Sequence, residues 1–140
     1  MTSLYVDTNT YSEFRKGLPD ARYVLSHSER IVVPVIVLGE LRAGFAYGTR
    51  QAQNEQDLRE FLSNARVSVA RVTNGVAAHY GMIYAQLRRD AKPIPTNDIW
   101  IAAVVSFYKG TALYTQDPHF QHVRGLQIVP DAATFRKIFE

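Results

Sequence analysis

The stretch TALYTQDPHF, residues 111–120, starts as a short apolar run and stops abruptly at Asp117. The stretch LYVDTN, residues 4–9, has the same form, with three apolar residues followed by an aspartate. Short apolar runs without polar alternation are typical of β-strands that are covered on both faces. Each stretch therefore predicts a buried strand that leads into a carboxylate, a group that is costly to place beside a core.

Strands and helices alternate along the rest of the chain. We predict strands at residues 4–6, 30–34 and 67–72, within 111–120, and at 126–129. Helices are predicted from Asp7 to about residue 16, from 20, from 35 to about 47, over 50–64, from 73 to about 90, from 97 to about 110, and after 131. This alternation predicts an α/β fold in which helices cover both faces of a mostly parallel sheet of about five short strands.

Two of the predicted helices differ in their apolar pattern. Residues 35–47 are apolar nearly all round the helix, with Glu40 and Arg42 as the only charges, so we predict a buried helix. Residues 50–64 carry one narrow apolar stripe among polar residues, which predicts a surface helix.

Length and composition indicate a single domain spanning residues 1–140. Hydrophobic residues make up 46% of the chain, which is enough for one core, and the lack of cysteine excludes disulfides and thiolate metal ligands. The longest uncharged apolar stretch, 99–108, is about half of the ~20 residues that a membrane-spanning helix needs. The N-terminus has no secretory pattern, so we expect a cytoplasmic protein. The net charge of +3 mildly favours an anionic partner such as nucleic acid.

Four acidic residues lie at or near the carboxyl ends of strands, where parallel sheets bind ligands. Asp7 and Asp117 follow the first and fourth strands. Asp98 starts the helix before the fourth strand, and Glu40 lies in the helix after the second. Three of them have ordinary alternatives, namely a helix cap, a complement to the helix dipole and a turn. Glu40 has none as good, because its neighbours are apolar and Arg42 lies on the wrong face to pair with it.

Convergence of these four acids would require a counter-charge. Two unit charges about 4 Å apart repel by about 4 kcal/mol at an effective dielectric constant of about 20, a large share of a domain stability of about 5–15 kcal/mol. A divalent cation or shared protons would relieve that repulsion. Carboxylate oxygens favour Mg²⁺ or Mn²⁺, so the acids predict a site for such an ion.

Five segments carry a resemblance that covers nearly the whole chain. They are VDTN (6–9), VPVIVLGELRAG (33–44), IPTNDIWIAA (94–103), LYTQDPHF (113–120) and GLQIV (125–129). In this order they resemble PIN domains, specifically the VapC-type toxin ribonucleases of type II toxin–antitoxin systems. The resemblance implies a three-layer α/β/α sandwich whose acids bind Mg²⁺, with Mn²⁺ as a substitute, and hydrolyse RNA phosphodiester bonds. It also implies a homodimer and a cognate VapB-like, DNA-binding antitoxin.

The resemblance also implies roles for individual residues. Catalytic and metal-binding roles fall on Asp7, Glu40, Asp98 and Asp117, of which Asp117 matches the more variable position. Pocket hydroxyl and amide positions fall on Thr8, Asn9 and Thr115.

The remaining charges favour an anionic ligand. Without the four acids, the chain has nine acidic residues and 16 Lys and Arg residues. Candidate contacts to RNA phosphates are Arg42, Arg50, Arg88, Arg89 and Lys92, with an ordinary solvated surface as the alternative. The surface helix at 50–64, with Phe45 and Tyr47, is a candidate part of the antitoxin groove, or else plain surface and core. The histidines lack zinc-site spacing, and His119 is assigned to surface packing rather than to RNA contact.

Two other classes of function are weighed against the nuclease. A PIN-like module that binds RNA or a protein without cutting is disfavoured by the presence of all four acids. A phosphotransfer domain would need a second acid beside Asp7 or an Asp-x-Asp pattern, and VDTN (6–9) offers neither.

Overall fold

The structure, a computed structural model, describes residues 2–140. Its strands are β1 (Ser3–Val6), β2 (Arg30–Pro34), β3 (Val67–Ala70), β4 (Ala112–Tyr114) and β5 (Ile128–Val129). Its helices are α1 (Thr8–Arg15), α2 (Pro19–Ser26), α3 (Val35–Tyr47), α4 (Gln51–Leu62), α5 (Asn74–Arg89), α6 (Thr96–Phe107) and α7 (Ala132–Phe139), and a short 3₁₀ helix spans Pro118–His122. The predicted alternation is confirmed. Across residues 2–140, none of the helices combines enough length and apolar character to span a bilayer.

The strands form one parallel sheet in the order β3-β2-β1-β4-β5. The chain first builds outward from β1 through β2 to β3. Helices α5 and α6 then carry it back to β4, on the other side of β1. This reversal between β1 and β4 is a topological switch point, the place where open α/β sheets bind ligands beyond the carboxyl ends of their strands.

The two strands at the switch point are the buried centre of the sheet. Leu4 on β1 and Leu113 on β4 are fully buried, as the short apolar runs predict for strands with helices on both faces. β3 differs because it is an edge strand, where Ser68 and Val69 are exposed. The expectation of burial on both faces therefore holds for the centre of the sheet and is wrong for β3.

The helix α3 is not buried all round, so that prediction is wrong. Val37, Leu38 and Leu41 face the core, whereas Val35 is 39% and Tyr47 97% exposed. An apolar circumference is typical of a helix that is covered on every side. Here a single chain covers only one side, which leaves an apolar surface on the other.

The remaining helices pack as their patterns predict. α4 lies on the surface and buries Leu58 and Phe61. α5 and α6 pack closely together, with the rings of Tyr80 and Trp100 4.2 Å apart between their centroids. Trp100 is thus a packing residue, and α6 is held so that its first turn faces the carboxyl edge of the sheet.

Gly110, which connects α6 to β4, provides a test of this packing. A Cβ atom at this position would lie 2.4 Å from Cε1 of Tyr5 and 3.2 Å from Cγ1 of Val105, and both of these side chains are buried. We expect Gly110→Ala to lower the free energy of unfolding by about 1–3 kcal/mol, as overpacking usually does. Urea denaturation measures the change.

The matched control is Gly81→Ala in the middle of α5. Gly81 is exposed and its added Cβ would meet nothing within 4 Å. This variant should be more stable than the parent by about 0.4–1 kcal/mol, because alanine restricts the unfolded chain. Equal stability of the parent and Gly110→Ala would contradict the close contact with β1.

Candidate active site

Four separate elements bring the predicted acids to the carboxyl edge of the sheet. Asp7 directly follows β1 and caps α1, and Asp117 follows β4 and caps the 3₁₀ helix. Asp98 lies in the first turn of α6, and Glu40 lies in the second turn of α3. The structure therefore gathers all four at the switch point between β1 and β4.

Asp7 is held by donors on two sides. It is 5% exposed, and its Oδ1 accepts a hydrogen bond from the backbone N–H of Thr10 at 2.9 Å. The Thr10 hydroxyl in turn accepts from the backbone N–H of Asp7 at 3.1 Å, which completes a capping box. The Thr115 hydroxyl donates to Oδ2 of Asp7. Asp7 is thus a helix cap and also the most buried carboxylate of the cluster.

Thr115 connects the two strand-end aspartates. It is 1% exposed. Its oxygen accepts a hydrogen bond from the backbone N–H of Asp117 at 3.0 Å, and its hydroxyl donates a hydrogen bond to Asp7. Asp117 begins the 3₁₀ helix, with Pro118 at its first position and the N–H of His119 donating to Oδ1 at 2.9 Å. The predicted turn role of Asp117 is therefore present together with its place in the cluster.

His119 lies between two of the acids. Its Nδ1 is 3.0 Å from Oδ2 of Asp98 and 3.1 Å from Oδ1 of Asp117. The expectation that His119 is surface packing is wrong, since 3₁₀ geometry turns the chain back after Pro118 and directs the ring to the carboxylates. The available signal was the Asp-Pro-x pattern, because Pro at the first helical position predicts a tight turn after Asp117.

Glu40 is held by two polar side chains. The Thr8 hydroxyl donates to Oε1 at 2.7 Å, and the Asn97 amide donates to Oε2 at 3.4 Å. Arg42 does not pair with Glu40, as its spacing predicts, and its Nε instead lies 3.3 Å from Oε2 of Glu55 on α4. Asn97 was not singled out from the sequence, where it is visible only as the neighbour of Asp98.

Burial and mutual repulsion raise the pKa of two of these carboxyls. Burial is the main cause for Asp7, the nearby Asp117 adds to it, and the hydrogen bonds from Thr115 and Thr10 lower that pKa in part. Burial is also the main cause for Asp98, whose pKa is raised further by Asp117 and Glu40 and lowered by His119. The carboxylates are therefore close enough to act on one another electrostatically.

Three donor atoms of the cluster suit a divalent cation. Asp98, Asp117 and His119 each offer one ligand atom, and these atoms all lie within 4.8 Å of one another. Carboxylate oxygens bind Mg²⁺ at about 2.0–2.1 Å, so ligands of one ion lie no more than about 4.2 Å apart, and small side-chain rotations would close the difference. Two carboxylates with one imidazole fit Mg²⁺ or Mn²⁺ in donor type, with the nitrogen favouring Mn²⁺.

The other predicted residues lie round this cluster in different ways. Asn9 is exposed and lines a shallow depression beside Asp117. Arg50 lies at the start of α4, on the α1 side of the acids. The exposed residues Arg88, Arg89 and Lys92 lie at the end of α5 and in the loop before α6, with Arg88 over the ring of Tyr84. Four of the predicted cations thus lie at two places in the chain, the start of α4 and the end of α5 with the loop that follows it.

Comparison with known proteins agrees with this architecture. A family model for the PIN domain matches residues 4–126. Ribonuclease VapC1 from Haemophilus influenzae strain R2866 is 30% identical over 127 residues, which cover 87% of this chain and 92% of that protein. VapBC from Salmonella typhimurium, solved bound to DNA, superposes with a TM-score of 0.79 and 27% identity over 92% of this chain and 98% of that one. VapBC-1 from nontypeable Haemophilus influenzae gives a TM-score of 0.80 with 24% identity, over 94% and 99%.

Parallel α/β domains with carboxylates gathered at the switch point form a class of protein that can bind a divalent cation there. Within that class, the chain belongs to the PIN domain family, and the relatives named above are of VapC type. The predicted PIN-like α/β/α sandwich is confirmed.

The raised pKa of Asp7 predicts how stability changes with pH. The folded protein holds this proton more tightly than the unfolded chain, so the parent loses stability as pH rises from the ordinary aspartate pKa of about 3.9 through the raised value. Asn caps helices as well as Asp does and carries no charge. We expect Asp7→Asn to melt at a higher Tm than the parent near neutral pH in EDTA, with the gap closing on acidification.

The control is a second capping aspartate whose pKa is shifted the other way. The backbone N–H of Thr134 donates to Asp131 at 2.7 Å and lowers its pKa, so this charge stabilises the fold above the ordinary pKa and that stability is lost as pH falls. Asp131→Asn should therefore melt below the parent near neutral pH. The same sign of shift in both variants would contradict the electrostatic account of Asp7.

Proposed function

We propose that this chain is a metal-dependent endoribonuclease and the toxin of a type II toxin–antitoxin pair. The observation that carries the proposal is the set of donor atoms from Asp98, Asp117 and His119 within 4.8 Å, with Asp7 and Glu40 at the same edge of the sheet. A relative is named as a ribonuclease of VapC type, and similar structures were solved as VapBC complexes.

The residues divide the chemistry between them. A Mg²⁺ or Mn²⁺ ion held by Asp98, Asp117 and His119 would supply a Lewis acid for the phosphate and lower the pKa of a bound water. Asp7 has a raised pKa and is fixed by Thr115, which suits it to accept a proton. Glu40 is oriented toward the same edge by Thr8 and Asn97, which hold its two oxygens.

The proposed RNA substrate agrees with the charges on either side of the acids. The cations Arg50, Arg89 and Lys92 are exposed and pair with none of the acids described above, and Arg88 is exposed but lies over the ring of Tyr84. Arg42 is a weaker candidate, because its Nε already pairs with Glu55. Action on RNA, with no membrane-spanning helix among residues 2–140, fits the proposed cytoplasmic location.

The decisive test of the activity is the loss of one metal-site carboxylate. We expect Asp98→Asn to reduce Mn²⁺-dependent cleavage of structured RNA by at least about 100-fold, because a cation in such a site is worth several kcal/mol and each 1.36 kcal/mol changes a rate tenfold. Cleavage is measured on antitoxin-free protein by gel, and Mn²⁺ binding by calorimetry should weaken in parallel.

Glu29→Gln is the matched control, because Glu29 is exposed and precedes β2 at the opposite edge of the sheet. It should cut RNA like the parent. If the parent bound RNA tightly without metal and cut nothing, the alternative of a non-catalytic RNA-binding module would replace the nuclease.

An antitoxin and a second copy of the chain are the proposed partners. The 97% exposed Tyr47 and the half-buried Phe45 at the end of α3, next to the polar helix α4, support a groove for a cognate VapB-like antitoxin. The exposed side of α3, which includes Val35 and Ala43, supports a homodimer, because exposed apolar surface of this kind is typical of interfaces.

The homodimer is tested by adding one charge to that side of α3. We expect the parent to elute with twice the mass of one chain in light scattering, and Ala43→Glu to elute as a monomer, because an unpaired charge is costly in an apolar interface. Ala133→Glu on the exposed side of α7 is the control and should stay dimeric. A dimeric Ala43→Glu would show that α3 is not the interface.

A further inference from the structure

A cavity of about 450 Å³ lies beside the acid cluster, between α1, the end of α3 and the start of α4. Its lining includes Tyr11, Ser12, Lys16, Phe45, Arg50 and Asn54. It is open to solvent on the side of Lys16 and Arg50, which are both exposed. The site described above uses none of these side chains except the candidate Arg50.

The charge of this cavity favours an anion. Arg15 and Asp57 also line it, and they pair with each other at 3.2 Å. Arg50 is left as a cation without an acid among the lining residues to balance it, whereas Lys16 also interacts with Glu13 in the adjoining depression. A phosphate between Lys16 and Arg50 would be bound by charge-assisted hydrogen bonds, which are the stronger kind.

One buried polar atom in this cavity wall needs a partner. Tyr11 is 3% exposed, and its hydroxyl makes no hydrogen bond to any residue of the range 2–140. Its ring packs edge-on against Phe61, which fixes its position. Burying a hydroxyl without a partner is unfavourable. The Tyr11 hydroxyl is closed to solvent in the free protein, so a ligand in this cavity relieves that penalty when the wall opens to it.

The cavity adjoins the depression beside Asp117. Ser12 and Lys16 line this cavity and also the depression beside Asp117. The Ser12 hydroxyl donates to the backbone oxygen of Thr8, one turn earlier on α1, and Thr8 holds Glu40. A chain molecule with one phosphate at the acids can therefore extend along α1 into the cavity.

We infer that this cavity binds the nucleotide next to the scissile phosphodiester of the RNA, an inference that rests on the proposed nuclease function. Lys16 and Arg50 hold its phosphate, Phe45 packs against its base, and the Asn54 amide is available to a base edge. Aromatic stacking combined with cations and amide groups is how proteins grip single-stranded RNA. The antitoxin groove proposed above shares Phe45 with this cavity, so an antitoxin bound there would exclude the nucleotide.

The test compares charge reversals inside and outside the cavity. Arg50→Glu and Lys16→Glu are each expected to raise KM for a long RNA by about tenfold or more with little change in kcat, since each removes a charge-assisted phosphate contact. Lys137→Glu on α7 has the same change in charge at an exposed position and should leave KM within about twofold, as expected for a distant solvated charge. Arg50→Gln, which keeps an uncharged polar side chain, repeats the test if a reversal perturbs folding.

Two further measurements separate a nucleotide subsite from general attraction. A dinucleotide has only the scissile phosphate, so Arg50→Glu should reduce its cleavage by much less than it reduces the cleavage of a long RNA. Tyr11→Phe removes only the hydroxyl and should weaken binding of a single-stranded RNA oligonucleotide to the Asp98→Asn protein, without lowering Tm. Fluorescence anisotropy measures this binding in the absence of cleavage.

The outcomes separate this inference from the proposed activity. If the parent cuts no RNA, the nuclease proposal is wrong, and the oligonucleotide binding still decides whether the cavity holds a nucleotide. If the parent cuts RNA and the cavity variants behave like Lys137→Glu, the subsite is wrong. If the cavity variants lose binding to an acidic antitoxin peptide but keep RNA binding, the cavity belongs to a protein partner and the inference is overturned.

Discussion

The mutual repulsion of carboxylates gathered at one sheet edge is the constraint on which the rest of the structure depends. The pKa of Asp98 is raised by Asp117 and Glu40 as well as by burial, so each acid makes its neighbours harder to ionise. Two polar side chains bridge the acids. The Thr115 hydroxyl forms hydrogen bonds with Asp7 and with the backbone of Asp117, and His119 lies between Asp117 and Asp98. These contacts reduce the repulsion but leave an excess of negative charge. A divalent cation would neutralise that excess.

Local structure and site chemistry use the same atoms in this protein. Asp7 and Asp117 cap the helices that begin after β1 and β4, and capping points each side chain back over the carboxyl end of its strand. The ordinary roles that a sequence suggests for such residues are therefore no argument against a functional role. A cap fixes the rotamer of a carboxylate, and a fixed carboxylate is what a metal or a proton-transfer site needs.

Much of the fold could be read from the sequence because the decisive patterns are local. The strands β1 and β4 are short apolar runs, and β2 and α3 were predicted at 30–34 and at 35 to about 47, which match their observed bounds. The places of His119 and Asn97 could not be read, since they depend on how two distant elements meet at the sheet edge. The exposed side of α3 could not be predicted for a related reason. The sequence shows that the helix is apolar on all sides, but it does not show whether this chain or another molecule covers each side.

Helix α3 has two different sides. Its inner side carries Leu38 and Leu41 into the core and Glu40 to the acids, while Val35 and Tyr47 lie on the outside. A helix of 13 residues is a stiff rod about 20 Å long, so a push on its outer side moves all of its residues together. Any displacement of α3 by a molecule docked on its outer side would therefore also shift Glu40 relative to the other acids.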